Sequence, residues 1–441
     1  CGGVFLCRMV YNRRVFITPK EHIMTREFPL RFGYIPYPLW RRRYTIGIKQ
    51  AFYAVYPALY PVKYDQHPPT SSAEIVAFLR RFNLLPSVTS ADIETITPPL
   101  LTPSDAPQPA QPSTQIRLIA QWERLEAVLM SWCLFYPPLW SLHAEMVRAI
   151  IPVAQVHLIV PSDWWARAIW AYLTQHGYLG DNAHQVKFII IPTDDVWIRD
   201  YGPMLGYDQT GMRGGIKGTY NHLPYYPQGR DNAMPFAWSQ HTQTPLHPTH
   251  LSIEGGNLLT DGAGTLFTTQ KTLTANPQFA NRDDLEIYLH SLLDYDKLII
   301  TPRMKIERTG HIDLLMKLLD EKTVMIATPS SKWDTARLDE VMRIFKSETN
   351  AKGNAYHIIE LPTPPLFFNW LVYPIRRSYT NALTVNGRIL VPIYQSKGDD
   401  IAIRRYEEHA KEYEIIPLDC AKMINGGGAI HCMTREIPIS R

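Results

Sequence analysis

An α/β fold is what this sequence predicts, on three observations. From about residue 115, short apolar runs alternate with helical stretches. Several apolar runs are followed directly by charged or glycine-rich clusters. A proline-rich stretch separates this alternating region from what precedes it. Strands separated by helices indicate α/β architecture, and loops that follow strands are where such folds place their chemistry. The 441 residues suit one large catalytic domain plus an appendage.

The elements can be taken in chain order. Residues 72–83, SAEIVAFLRRFN, have a Ser cap and apolar spacing suited to one short helix. Residues 98–112 contain Pro98, Pro99, Pro103, Pro107, Pro109 and Pro112, which no helix or central strand tolerates, so they read as an extended linker. The expected domains are therefore an N-terminal extension (1–97), a linker (98–114) and a catalytic domain (115–441). Strands are expected at 125–132, 156–161, 186–192, 249–253, 297–302, 322–329, 356–362 and 389–394. Helices are expected at 139–154, from Trp164 to a stop at Gly177, and near 280–292, 309–319, 334–347 and 400–411.

Charge is unevenly spread. The first fifty residues carry a formal +8 and the remainder −4, which gives the net +4. A nucleic-acid role needs a basic face on the folded body, and this body is mildly acidic. Residues 1–60 hold thirteen of the fifty aromatics together with Arg41, Arg42 and Arg43. A poorly ordered or packed appendage is preferred for them over a membrane-surface or partner-binding arm. The five cysteines, Cys1, Cys7, Cys133, Cys420 and Cys432, fit no disulfide or zinc framework. No apolar run is long enough to span a bilayer. Because the chain begins with Cys, a truncated reading frame is preferred over a mature lipoprotein. A cytoplasmic location is expected, with a lipidated envelope protein as the alternative; a homo-oligomer is compatible with either.

Five polar clusters carry the candidate chemistry: DDVWIRDYGP (194–203), EGGNLLTDGAGT (254–265), GHID (310–313), YTNALTVNGR (379–388) and NGGGAIHC (425–432). Each alone has a plain structural explanation: Asp194 and Asp195 as turn caps, GGN and DGAG as hairpin turns, Cys432 as a small buried hydrophobe. Cys432 nevertheless follows three glycines that let backbone approach a ligand, and His431 and Arg435 are positive neighbours that suit a reactive thiol. In an extended segment His431 would point away from Cys432. That makes His311 the better acid/base partner, with Asp313 on the same face. Trp197 and Asp200 could flank a planar cation, the indole stacking it and the carboxylate binding it. The simple alternative is a core Trp beside an Asp200–Arg199 surface pair.

Together, in order, these clusters resemble the agmatine deiminase and bacterial peptidylarginine deiminase family of the guanidino-modifying (pentein) superfamily. AQWERLEAVLMSW (120–132) is similar to the family's opening strand, and the resemblance spans about residues 115–441. It implies a five-bladed α/β propeller of repeated ββαβ units. It also implies roles: Cys432 as nucleophile, His311 as acid/base, Asp200 and Asp313 as the carboxylates gripping a guanidinium, Trp197 and Asn381 as substrate contacts. Neither metal nor cofactor is implied. The partner expected is a small guanidino substrate such as agmatine, or an arginyl peptide.

One departure bears on the substrate. In the region comparable to the family's arginine-rich carboxylate clamp, residues 220–232, His222 stands where a first Arg is expected and Arg230 is the only Arg. Agmatine carries an ammonium instead, for which Glu254 and Asp231 are candidates. The expected reaction is therefore deimination of agmatine, with peptidylarginine deimination and amidinotransfer as alternatives. A non-catalytic binding pentein is disfavoured by the Cys–His–Asp set. A papain-like protease is disfavoured by the late position of Cys432.

Overall fold

The structure is a computed structural model. It describes residues 69–440 apart from 135–136, 222–227, 305–306, 308, 331–333 and 369–373. His222 lies outside the described residues, as do Cys1, Cys7 and the Arg41–Arg43 cluster.

Five three- or four-stranded sheets share one pattern, an inner strand antiparallel to a second strand that pairs in parallel with a third. In the first unit Arg435–Pro438 pairs antiparallel with Leu125–Ser131, followed in parallel by Gln155–Val160 and Val186–Ile190. In the second, Arg117–Leu118 and Met204–Tyr207 precede Arg213–Lys217 and Leu246–Pro248. The third is built from Leu259–Thr260, Thr265–Thr269 and Lys297–Thr301. The fourth is built from Met316–Leu318, Thr323–Ala327 and His357–Leu361. The fifth is built from Leu383–Val385, Arg388–Ile393 and Glu414–Asp419. Helices cross between the parallel strands, as parallel pairing requires: Trp140–Ile150 and Asp163–Gln175 in the first unit, then Gly229–Thr242, Arg282–His290, Thr335–Ser347 and Asp399–His409.

Local sequence explains the joints. Asn386 and Gly387 both adopt positive φ between Val385 and Arg388, the geometry of a two-residue hairpin. In DGAG, Asp261 Oδ1 accepts from the amides of Ala263 and Thr265, both at 2.8 Å, and Gly262 and Gly264 supply positive φ. The preceding GGN is not a hairpin turn but a 3-10 turn, Gly255–Asn257.

Two expected elements are corrected. The helix near 309–319 is a 3-10 turn, Ile312–Leu314, followed by the strand Met316–Leu318. Gly310 sits at φ +68, and LLMKLL is buried on both faces, so its apolar run carries no helical period. The strand expected at 249–253 forms earlier, at Leu246–Pro248. Residues 249–251 continue beside it through single bonds, Thr249 N to Lys217 O at 3.0 Å and Thr219 N to Leu251 O at 2.8 Å.

The described residues before 113 pack on the first unit. Ser71 caps the helix Ser72–Arg81, and Thr89 and Asp92 form a capping box on Ser90–Thr95. Ile75, Leu79, Leu85 and Ile93 are buried in the same core as Trp140 and Trp165. Phe78 meets Trp165 edge-on, with ring centroids 4.8 Å apart. Arg167 Nη1 donates to the carbonyls of Glu94 (2.8 Å) and Ile96 (2.6 Å). The proline-rich stretch is extended, and its start borders Val186–Ile190: Phe188 N donates to Pro99 O and Leu101 N to Phe188 O, both at 2.8 Å. Helices 72–81 and 90–95 therefore belong to the same core as the first unit. No helix among the described residues is long and apolar enough to cross a membrane.

Candidate active site

Each polar cluster lies just upstream of a unit's inner strand. Trp197 and Asp200 precede Met204–Tyr207, Glu254 precedes Leu259–Thr260, and His311 and Asp313 precede Met316–Leu318. Asn381 precedes Leu383–Val385, and Cys432 precedes Arg435–Pro438. Five points far apart in sequence thus converge on one buried cluster.

Gly256 marks where they meet. A Cβ there would fall 2.6 Å from His311 Nδ1, 2.8 Å from Asp200 Oδ1 and 3.2 Å from Asp313 Oδ2. Only a residue without a side chain leaves these groups room to share a pocket. His311 and Asp313 enter it together as expected, although through a 3-10 turn rather than an extended segment.

On one side, His311 Nε2 lies 2.6 Å from Glu254 Oε2, which also accepts from Lys271 Nζ at 2.6 Å. His311 Nδ1 is 3.5 Å from Asp200 Oδ1, and the Gly256 amide donates to that oxygen at 3.3 Å. Burial disfavours the His311 imidazolium, but the Asp200 and Glu254 carboxylates outweigh it and raise His311 to about 9. Burial raises Asp200 to about 6, opposed by His311.

On the other side, Asn381 Nδ2 donates to Cys432 Sγ at 3.2 Å and to Asp313 Oδ2 at 3.1 Å. Its Oδ1 accepts from the amides of Ala429 (3.2 Å) and Cys432 (3.3 Å), clamping the loop that presents the thiol. Sγ lies 4.0 Å from Asp313 Oδ2. Gly428 makes this possible, since a Cβ there would stand 2.6 Å from the Trp197 ring and 3.0 Å from Cys432 Cβ. Trp197 is thereby brought beside the thiol. Burial raises Asp313 to about 7. Burial, then the Asp313 and Asp200 charges, push the Cys432 thiol well above its ordinary range.

His431 was expected to point away from this chemistry. It lies instead in a 3-10 turn, His431–Met433, and its Nδ1 meets Asp313 Oδ2 at 2.7 Å. It is no positive neighbour: burial, then Arg199 and Lys317, hold it well below its ordinary value and so neutral. Arg435 donates to Pro203 O at 2.6 Å. Arg199 does not pair with Asp200 at the surface; it is buried and grips Glu436 bidentately at 2.6 and 2.7 Å. Sequence reasoning also missed Lys271, and it considered Glu254 for a substrate ammonium rather than for His311.

Arg230 and Asp231 sit at the start of the helix Gly229–Thr242. The Arg230 amide donates to Asp194 Oδ2 at 3.0 Å, and its guanidinium lies 3.9 Å from Asp194 Oδ1. Asp231 is fully buried and its Oδ1 accepts from the amides of Asp194 (2.7 Å) and Asp195 (3.2 Å), fixing the loop that leads to Trp197. Among the described residues no group of three or more His, Cys, Asp or Glu is arranged to hold a metal ion.

Asp313 Oδ1 is buried and has no hydrogen-bond partner among the described residues. A buried carboxylate oxygen beside a thiol is a place for a cationic donor.

Comparisons with known proteins identify relatives of this chain and of its fold. The agmatine deiminase of Pseudomonas fluorescens is 26% identical over 339 residues, covering 70% of this chain and 89% of that protein. The structure of the agmatine deiminase of Enterococcus faecalis superposes with a TM-score of 0.65 at 20% identity, covering 75% of this chain and 99% of that one. The agmatine deiminase of C. jejuni superposes with a TM-score of 0.64 at 21% identity, covering 74% and 97%. Residues 117–438 match the family model of the Porphyromonas-type peptidyl-arginine deiminases, and the chain belongs to that family.

Proposed function

We propose that this chain hydrolyses the guanidinium group of a small guanidino-amine, converting agmatine to N-carbamoylputrescine and ammonia through a covalent adduct on Cys432. The observation that carries this reading is Asp313 Oδ1, a buried acceptor with no donor among the described residues, on the carboxylate whose other oxygen lies 4.0 Å from the thiol. A guanidinium seated between Asp313 and Asp200 satisfies that oxygen, and paired charged hydrogen bonds orient its carbon toward Sγ. Trp197 offers a ring face beside it, and Asn381 holds the thiol and the carboxylate in register.

The cation also answers the thiol's high pKa. Its charge offsets Asp313 and Asp200, the groups that join burial in disfavouring thiolate, so substrate helps ionise its own nucleophile. The thiolate adds to the guanidinium carbon. The His311 imidazolium, kept charged by Glu254 and Asp200, protonates the departing amino group, the C–N bond breaks and ammonia leaves a thiouronium. Neutral His311 then takes a proton from water as its oxygen adds to the same carbon. The C–S bond breaks, the ureido product leaves with loss of one proton, and the thiolate returns. Glu254 thus serves His311 rather than a substrate ammonium.

Agmatine is the first substrate to test because relatives on this scale of similarity are agmatine deiminases. Arg230 beside Asp194 is a weak match for a bidentate carboxylate clamp. We also infer that the five units close around the site as blades of a propeller, with Arg435–Pro438 completing the first.

The test is ammonia release from agmatine, free arginine and a peptide ending in arginine. The highest kcat/KM is expected for agmatine. Preference for the peptide, lost in Arg230→Ala, would move the chain to peptidylarginine deimination.

A further inference from the structure

Behind Asp313 runs a line of polar groups, buried at His431 and Lys317 and half-buried at Gln121, that the reaction does not touch. His431 Nδ1 lies 2.7 Å from Asp313 Oδ2. His431 Nε2 lies 2.9 Å from Gln121 Nε2, and Gln121 Oε1 accepts from Lys317 Nζ at 2.7 Å. Lys317 is 1% exposed, and its second acceptor is Ala382 O at 3.0 Å. Asp313 and Lys317 share one stretch of the chain, and Gln121 and His431 come from two others.

The order of donors is set from the lysine end. An ammonium only donates, so Gln121 must offer it Oε1. The amide NH₂ then faces His431 Nε2, which must accept. The single proton of a neutral imidazole is therefore on Nδ1, where it is donated to Asp313 Oδ2. The opposite arrangement has Asp313 protonated on Oδ2 and donating to Nδ1, with Nε2–H donating to Gln121. It would turn the Gln121 NH₂ onto the Lys317 ammonium. The other group near Nε2 is Glu436 Oε1 at 3.7 Å, and Arg199 already holds both oxygens of Glu436. Arg435 and His311 add positive charge around His431 and further disfavour a second proton on it.

We infer that Lys317, Gln121 and His431 are positioning residues: they fix the Nδ1–H tautomer of His431, which keeps Asp313 Oδ2 an acceptor and leaves Oδ1 directed at the substrate cation. The functional half of this inference rests on the deiminase reading above; the tautomer does not.

The experiment is ¹⁵N NMR of ring-labelled histidines in the full chain from pH 6 to 8, which spans the titration of both Asp313 and Lys317 near 7, with His431 assigned by difference against His431→Gln. His431 Nδ1 is expected in the protonated range and Nε2 in the unprotonated range. A proton on Nε2 in the unaltered protein overturns the inference, whatever the enzyme does. In Gln121→Glu the donor facing Nε2 is replaced by an acceptor, and the proton should move to Nε2 or a second one be added. KM should then rise about 10- to 100-fold with a smaller change in kcat. Lys317→Met should leave both tautomers populated. An unchanged spectrum and unchanged KM in a folded Gln121→Glu protein also overturns the inference. Failure of agmatine turnover in the unaltered protein, with the Nδ1–H tautomer present, overturns the substrate reading alone.

Discussion

The two carboxylates of the site are the same residue type held in opposite ways. Asp200 stands in a charged neighbourhood, 3.5 Å from His311, which Glu254 and Lys271 in turn support. Asp313 is held by neutral donors, the Asn381 amide and the His431 ring. Burial raises both, Asp200 to about 6 and Asp313 to about 7, and His311 opposes the rise in each; the difference lies in the contacts, His311 being 3.5 Å from Asp200 while Asp313 accepts from neutral groups. The contrast separates two tasks. In the proposed reaction one half keeps a proton ready on His311 and the other keeps a negative site incomplete until substrate arrives.

The comparison can be broken by variants on each side. Cys432→Ser removes the group both halves serve and should lower kcat by about 10⁴-fold or more with the unfolding temperature unchanged. Retained turnover would make the cysteine structural. Asp313→Asn should cost roughly 10²- to 10³-fold in kcat/KM and leave the alkaline limb of the pH profile in place. Glu254→Gln should cost about tenfold and move that limb to lower pH, because His311 loses a carboxylate that keeps it protonated. If both variants shift the same limb, the division of tasks is wrong. In the unaltered protein the carboxylates must be ionised and His311 protonated. The rate should therefore fall as pH drops below about 7 and fall again as it rises above about 9. Chelators should have the smallest effect, none on kcat; loss restored by a divalent ion would contradict a thiol mechanism that needs no metal.

A different contrast, between the two ends of the described chain, concerns stability. Removing residues 1–112 strips Ile75, Leu79, Leu85 and Ile93 from the first unit's core. Each such side chain contributes roughly 1.5–3 kcal/mol. That deletion should lower the unfolding temperature markedly relative to deletion of residues 1–68, measured by thermal unfolding of both.

Much of this was legible in sequence where one local rule dominates. Strands 125–131, 155–160 and 186–190 are β-rich apolar runs between clear helices, and the Asn386–Gly387 turn announces itself. LLMKLL was not, since burial on both faces erases the period that separates helix from strand. The cluster at Cys432, His311, Asp200 and Asp313 could be proposed because each sits in a polar stretch after an apolar run. Its pairings could not. That Glu254 meets His311, and His431 meets Asp313, depends on units 57 and 118 residues apart in sequence. The packing of helix 72–81 was hidden because its apolar face shows that it needs a partner without showing which.

The pairing of Arg435–Pro438 with Leu125–Ser131 has a consequence for how the enzyme comes into being. The strand that seats Cys432 joins a sheet whose other members were synthesised roughly 300 residues earlier. In the proposed mechanism, until that late strand docks, the four upstream clusters have no nucleophile to serve. A nascent chain stalled anywhere before it is chemically silent, so the reactive thiol is delivered only to a scaffold that has already formed.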